Sequence, residues 1–280
     1  MRAMDMWDAT QTGLAVNSGV TPFVFRSTDA GRNWVGIVSF DPGTYYGLSM
    51  NGQRAVIVGI NGACYLSLDA GTSWSARSSG TTRSLQAVSF SDVANAVAVG
   101  QGVITRTTNG GDTWSVFSQI GDPYDFWDVS YLGGSAFAVG LNGIIFRATG
   151  YSNNWSQQSS GTTANLWGVS FVSTSTGMAV GDGGTILYTT DAGATWAPRP
   201  IPGVTTRIQK VAMLNETTAT VGGFGARIYQ TTDAGLTWTQ DNVNLSFDFV
   251  QAIHLFPNNS GLCLITAAPQ NATSTILRRE

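Results

Sequence analysis

Short runs in which apolar residues alternate with polar or small ones dominate this chain, and helical spacing is absent. A spacing of two places successive side chains on opposite faces of a strand, so these runs predict strands throughout. Four kinds recur in a fixed order. The first is LQAVSF (Leu85–Phe90), FWDVSY (Phe126–Tyr131) or LWGVSF (Leu166–Phe171). The second ends in a glycine-punctuated turn: AVGQG (Ala98–Gly102), AVGLNG (Ala138–Gly143) or AVGDGG (Ala179–Gly184). The third contains Val103-Ile104, Ile144-Ile145-Phe146 or Ile186-Leu187-Tyr188, and the fourth follows a tryptophan. Each unit therefore reads strand a, loop, strand b, tight hairpin, strand c, turn, strand d.

The turn before strand d is itself a repeat. STDAGRNW ends at Trp34, SLDAGTSW at Trp74, TTNGGDTW at Trp114, TTDAGATW at Trp196 and TTDAGLTW at Trp238. A degenerate copy, ATGYSNNW, ends at Trp155, so successive tryptophans lie 40, 40, 41, 41 and 42 residues apart. A period near forty built of strands predicts propeller blades. The fold expected is all-β: one seven-bladed β-propeller domain over residues 1–280, with four-stranded antiparallel blades and a last blade of three strands. Expected blades are 4–44, 45–83, 84–124, 125–164, 165–205, 206–246 and 247–280. The last has no tryptophan turn, and Arg278 and Arg279 are read as guarding its edge.

The turn residues fit a structural task. A tight c–d turn needs a side chain that accepts backbone N–H groups, which Asp29, Asp69, Asn109, Asp191 and Asp233 provide. It also needs positive φ, the role read for Gly31, Gly71, Gly111, Gly193 and Gly235. Trp34, Trp74, Trp114, Trp155, Trp196 and Trp238 then bury a large ring against the turn.

Composition narrows the function. Only 11% of the 280 residues are charged, and the net charge is −3, which argues against a nucleic-acid partner. No apolar run reaches the roughly 18 residues of a membrane helix. Met1–Val16 has no apolar export segment, so the chain is expected to be made in the cytoplasm and to reside in a virion, or to be periplasmic or extracellular if it has been processed. Cys64 and Cys263 lie far apart in apolar runs and read as buried thiols, and His254 stands without a second ligand nearby in sequence. No metal and no cofactor is expected.

These tryptophan turns resemble the Asp-box, or bacterial neuraminidase repeat, Ser/Thr-x-Asp-x-Gly-x-x-Trp. The fuller string AVGxxGxIxxTTDAGxTW resembles the propellers of the photosystem II assembly and stability factor family. The resemblance covers the chain from about Trp7 and implies a propeller, but Asp-box propellers include sialidases as well as scaffolds, so function must come from a site. Glycoside hydrolysis needs paired carboxyls. The chain holds two glutamates, Glu216 and Glu280, and Asp122, Asp125, Asp128 and Asp248 are the remaining candidates. Sialidases resembling this repeat carry an Arg-Ile-Pro motif, where this chain has Arg207-Ile208-Gln209. No catalytic residue is named.

Binding is the remaining reading. The d–a and b–c loops share one face, where Tyr45, Tyr46, Phe126, Trp127, Trp167 and Phe247 are candidate recognition residues. Tyr45, Tyr46 and Phe247 are assigned to the surface, and Trp127 and Trp167 to a central plug. Arg26, Arg106, Arg147 and Arg278 recur on strand c and are read as covering their box tryptophan or a neighbouring strand. The function expected is a non-catalytic binding or structural module. Its setting is expected to be a phage tail or capsid, in contact with other structural proteins or a surface glycan. The alternatives are an exported assembly factor, implied by the resemblance, and a sialidase-like glycoside hydrolase.

Overall fold

A computed structural model of the chain describes residues 3–7, 11–17, 23–39, 43–119, 124–151, 154–225, 227–241, 249–255, 262–267 and 275–279. The described residues form antiparallel sheets in consecutive strand order. Blade 1 is β1 (Ala3–Trp7), β2 (Thr12–Val16), β3 (Phe23–Ser27) and β4 (Val35–Ser39). Blade 2 is β5 (Tyr45–Asn51), β6 (Arg54–Gly59), β7 (Cys64–Ser67) and β8 (Ser75–Ala76). Blade 3 is β9 (Leu85–Phe90), β10 (Ala96–Gly100), β11 (Val103–Thr107) and β12 (Ser115–Gln119). Blade 4 is β13 (Phe126–Leu132), β14 (Ser135–Gly140), β15 (Ile145–Ala148) and β16 (Ser156–Gln158). Blade 5 is β17 (Leu166–Phe171), β18 (Gly177–Gly181), β19 (Ile186–Thr189) and β20 (Ala197–Pro198). Blade 6 is β21 (Ile208–Met213), β22 (Ala219–Gly223), β23 (Ile228–Thr231) and β24 (Thr239–Asp241).

The expectation of seven blades is corrected to six. Six sheets have the four strands of a blade, whereas β25 (Phe249–Leu255), β26 (Leu262–Ala267) and β27 (Thr275–Arg279) make a sheet of three. The physical reason lies in the turn: in the blades, strand d starts just after the box tryptophan, and the last sheet has no such turn to start one.

The chain forms two compact units, Met1–Tyr131 and Leu132–Glu280. In the first, Leu14, Val16, Val24, Tyr45, Leu48 and Ile57 pack blade 1 on blade 2. Val56, Leu66, Leu85, Val88, Phe90 and Trp114 pack blade 2 on blade 3. In the second unit Phe137 stacks on Phe171 with ring centres 3.6 Å apart, and Trp196 meets Phe171 edge-on at 6.0 Å. Met178, Val180, Ile208, Val211 and Tyr229 pack blade 5 on blade 6.

A polar clasp joins successive first strands. The Met50 N–H donates to Asp5 Oδ2 (2.8 Å), the Phe90 N–H to Ser49 Oγ (3.2 Å) and the Tyr131 N–H to Ser89 Oγ (3.1 Å). The Met213 N–H does the same to Ser170 Oγ (3.1 Å). Each side chain supplies an acceptor to a backbone donor that packing would otherwise strand, an omission costing about 1–3 kcal/mol.

The Asp-boxes are closed knots. Ser27 Oγ donates to Asp29 Oδ1 (2.7 Å) and accepts the Gly31 N–H (2.8 Å), while the Asn33 N–H donates to Asp29 Oδ1 (2.9 Å). The same bonds recur around Asp69, Asp191 and Asp233. At Asn109 the amide oxygen takes the Thr113 N–H at 3.0 Å. Two residues per box, not one, adopt positive φ: Ala30 (57°) before Gly31 (81°), Ala70 before Gly71, Ala192 before Gly193 and Ala234 before Gly235. The strained alanine is held by its N–H, which bonds the a–b loop, as in Ala30 to Gln11 O (2.9 Å) and Ala192 to Ser175 O (2.8 Å). Indole N–H groups of Trp34, Trp74 and Trp114 donate to the carbonyls of Gly31, Gly71 and Gly111. Trp238 instead reaches Arg199 O, and the buried Trp196 Nε1 has no hydrogen bond. Trp155, in the degenerate copy, is half-buried, and its neighbours 152–153 lie outside the described residues.

Arginines from one blade tie down the next blade's box. Arg26 Nε donates to Ala70 O (2.9 Å), Arg54 Nη1 to Gly110 O (2.9 Å) and Arg199 Nε to Ala234 O (3.2 Å). They come from strands c, b and just after d respectively, so the acceptor is the repeated element and the donor is not. Arg147 lies over the Phe137 ring at 5.7 Å, and Arg106 Nη2 donates to Asn95 Oδ1 (3.2 Å). Arg278 falls on β27.

Candidate functional site

Two consecutive blades of the second unit build a charged cluster from equivalent positions. Each second strand ends in a glycine whose position leaves no room for a Cβ. At Gly181 a Cβ would stand 2.2 Å from Asn165 O, and at Gly223 it would stand 2.1 Å from Arg207 O. The following residues close the mouth by backbone bonds, the Asp182 N–H to Asn165 O (2.9 Å) and the Phe224 N–H to Arg207 O (3.0 Å). Asp182 and Phe224 are thus counterparts, as are Asn165 and Arg207. Packing the two blades side by side brings all four together.

The Asp182 carboxylate is the hub. Its Oδ1 accepts Arg207 Nε at 2.6 Å and Trp167 Nε1 at 2.9 Å, and its Oδ2 accepts Asn165 Nδ2 at 2.9 Å. Burial opposes its charge, but the hydrogen bonds from Arg207, Asn165 and Trp167 and the Arg207 charge outweigh it. The carboxyl is held below the usual aspartate range. The Arg207 guanidinium carbon lies 3.9 Å from the centre of the Trp167 ring and 5.1 Å from that of Phe224. Phe224 in turn meets Phe249 at 4.8 Å and is 36% exposed. Stacking and the Nε bond fix the guanidinium plane, and among the described residues its two Nη atoms take no hydrogen bond. This is a preoriented fork for a planar anion such as a carboxylate.

The network continues sideways. The Asn142 N–H donates to Asn165 Oδ1 (2.9 Å), and Asn142 also borders an open cavity of about 570 Å³ beside β16.

The aromatic candidates separate differently from the expectation. Tyr45, assigned to the surface, is buried at 3% exposure and packs edge-on to Tyr65 at 5.8 Å. Phe126 is fully buried. Tyr46 and Trp127 are half-buried, and Phe247 lies outside the described residues. Trp167, assigned to a central plug, donates its N–H to Asp182 and offers its face to Arg207, so both serve the charged cluster. Asp182, Asn165 and Phe224 were not singled out in the sequence, and Arg207 only as a motif that failed. The available signal was an aspartate in a b–c turn where Ile60, Gln101 and Leu141 stand in blades 2, 3 and 4.

No residue group resembling a metal site occurs among the described residues. Cys64 is buried, which pushes its thiol up to about 12. Of the carboxylates considered for hydrolysis, Asp122 and Asp248 lie outside the described residues, and Asp128 Oδ1 accepts the Val129 N–H (3.0 Å).

Residues 147–249 match the family described as photosynthesis system II assembly factor YCF48. The chain resembles a YCF48 propeller. The matched stretch holds Asn165, Trp167, Asp182, Arg207 and Phe224. No curated protein matches the chain. Among solved structures, YCF48 bound to D1 peptide superposes with a TM-score of 0.76 at 18% identity, covering 95% of this chain and 90% of that one. YCF48 from Cyanidioschyzon merolae gives 0.75 at 18% identity, covering 97% and 96%. U3-55K gives 0.80 at 8% identity, covering 99% and 94%, so likeness of fold persists at very low identity. These matches support the assembly-factor reading and lend nothing to the virion or glycan reading.

Proposed function

We propose that this propeller is a non-catalytic assembly scaffold that docks a segment of a partner protein at the mouth of blades 5 and 6. The Arg207 fork would receive a carboxylate of that segment. The observation that carries the reading is the Arg207 guanidinium, pinned by Asp182 and stacked on Trp167, with neither Nη atom hydrogen-bonded among the described residues. A side chain held this way has lost its rotamer entropy before the ligand arrives, which favours binding. Phe224 and Phe249 beside it supply apolar surface for a neighbouring side chain of the segment. The YCF48 structure with D1 peptide supports a peptide as the type of partner.

The test is isothermal titration of the full chain with a capped hexapeptide carrying one aspartate between two leucines. Binding should weaken roughly tenfold or more in Arg207→Ala, about 1.4 kcal/mol per decade. It should also be lost when the peptide's aspartate is replaced by asparagine. Equal affinity for both peptides would refute the carboxylate fork. The D1 peptide, titrated in parallel, asks whether the partner is shared with YCF48.

A further inference from the structure

The loop Ser159–Thr163 reads Ser-Ser-Gly-Thr-Thr, and the same five residues stand at Ser78–Thr82. Each copy connects the outer strand of one blade to the first strand of the next. Their internal bonding agrees: Ser79 Oγ donates to Thr81 O (3.1 Å) and Ser160 Oγ to Thr162 O (3.2 Å). What lies against them differs.

At the first copy, a Cβ on Gly80 would stand 3.2 Å from Val116 Cγ2 and 3.5 Å from Trp114 O, because β12 runs along the loop. Thr105 fastens the two, its hydroxyl lying 2.9 Å from Ser79 O and 3.1 Å from Ser115 O. At the second copy, a Cβ on Gly161 would meet nothing within 4 Å. Leu187, opposite Pro198, takes the place that Thr105 holds opposite Val116, and leucine has no hydroxyl to tie loop to strand. The outer strand is also shorter, two residues in β20 against five in β12. The cavity of about 570 Å³ borders this unaccompanied loop, with Gln157 and Gln158 of β16 and Asn142 as its other walls. No charged or aromatic side chain lines it.

We propose that this cavity is a seat for an extended, uncharged stretch of a partner polypeptide. A small branched aliphatic side chain of that stretch would rest over Gly161, as Val116 rests against Gly80. Amide and hydroxyl walls suit main-chain N–H and C=O groups, and the absence of a ring disfavours a sugar, which would need a stacking face. The proposal rests on the docking reading and places the partner's neutral stretch beside the fork, since Asn142 and Asn165 connect the two.

The probe is a capped, fluorescently labelled peptide with the sequence of residues 114–119, WSVFSQ, the chain's own strand that accompanies the first loop. Fluorescence anisotropy with the full chain should show saturable binding that falls at least tenfold in Ser159→Trp, an exposed position where the indole fills the seat. Arg207→Ala should leave this neutral probe unaffected. Replacing the probe's valine by aspartate should abolish binding. No saturable binding, or undiminished binding to Ser159→Trp, overturns the seat. If the acidic peptide still binds in that case, only the seat fails; if neither peptide binds, the docking reading fails with it.

Discussion

Arg207 Nε stands 2.6 Å from Asp182 Oδ1 while its guanidinium lies 3.9 Å above the Trp167 ring, and Trp167 donates to that same oxygen. One carboxylate oxygen therefore fixes both the cation and the surface on which the cation rests. Asp182→Asn should keep the fold but loosen the fork, lowering affinity for the acidic peptide severalfold. Arg207→Lys should behave nearly as Arg207→Ala, since an ammonium neither stacks nor forks. Titration calorimetry of the three variants checks this ranking; full binding by Arg207→Lys would show that charge alone suffices.

The box tryptophans are not equivalent. The Trp114 N–H donates to Gly111 O at 3.1 Å, whereas the buried Trp196 N–H has no acceptor. Trp114→Phe should cost about 1–2 kcal/mol for the lost bond. Trp196→Phe removes a buried donor that has no partner and should cost clearly less. Urea unfolding midpoints of the two variants decide, and equal shifts would contradict the difference.

Acid should weaken the boxes. Hydrogen bonds from Thr195 and Thr189 lower Asp191 from 3.8 to about 2, and those from Thr237 and Thr231 do the same to Asp233. Asp29 is lowered to about 2 by Asn33 and Ser27. A depressed folded value means that the stabilisation is complete above the unfolded value and disappears as pH falls through the folded one. Stability should therefore decline between about pH 4 and pH 2. Asp191→Asn should flatten that decline, and Asn109 shows that an amide can keep the turn. Denaturation midpoints at pH 5 and pH 2.5 measure the difference.

The strand order and box turns were legible because each depends on near neighbours in sequence, as Ser27, Asp29, Gly31 and Asn33 do. Two box features were not. Positive φ at Ala30 is accompanied by a bond to the Gln11 carbonyl in a different loop, and the arginines at the boxes of Ala70, Gly110 and Ala234 arrive from three different strand positions. Ser49, Ser89 and Ser170 recur at one place in strand a, a signal open to reading, but their partners sit on the next blade. The mouth cluster was least visible, since Asn165, Asp182, Arg207 and Phe224 meet only when two blades pack. Tyr45 shows the converse error: an aromatic at the start of a strand was assigned to the surface, yet it fills the space against Tyr65. The blade count of seven included the last repeat, which was expected to have three strands and forms a three-stranded sheet beside six complete blades.

Hydrogen–deuterium exchange of the full chain with and without the acidic hexapeptide tests the docking site most directly. Protection confined to peptides covering 162–168, 180–186, 204–209, 222–225 and 249–251 is the result expected. Protection at the Asp-box turns instead, or none at saturating peptide, would contradict a mouth built around Arg207.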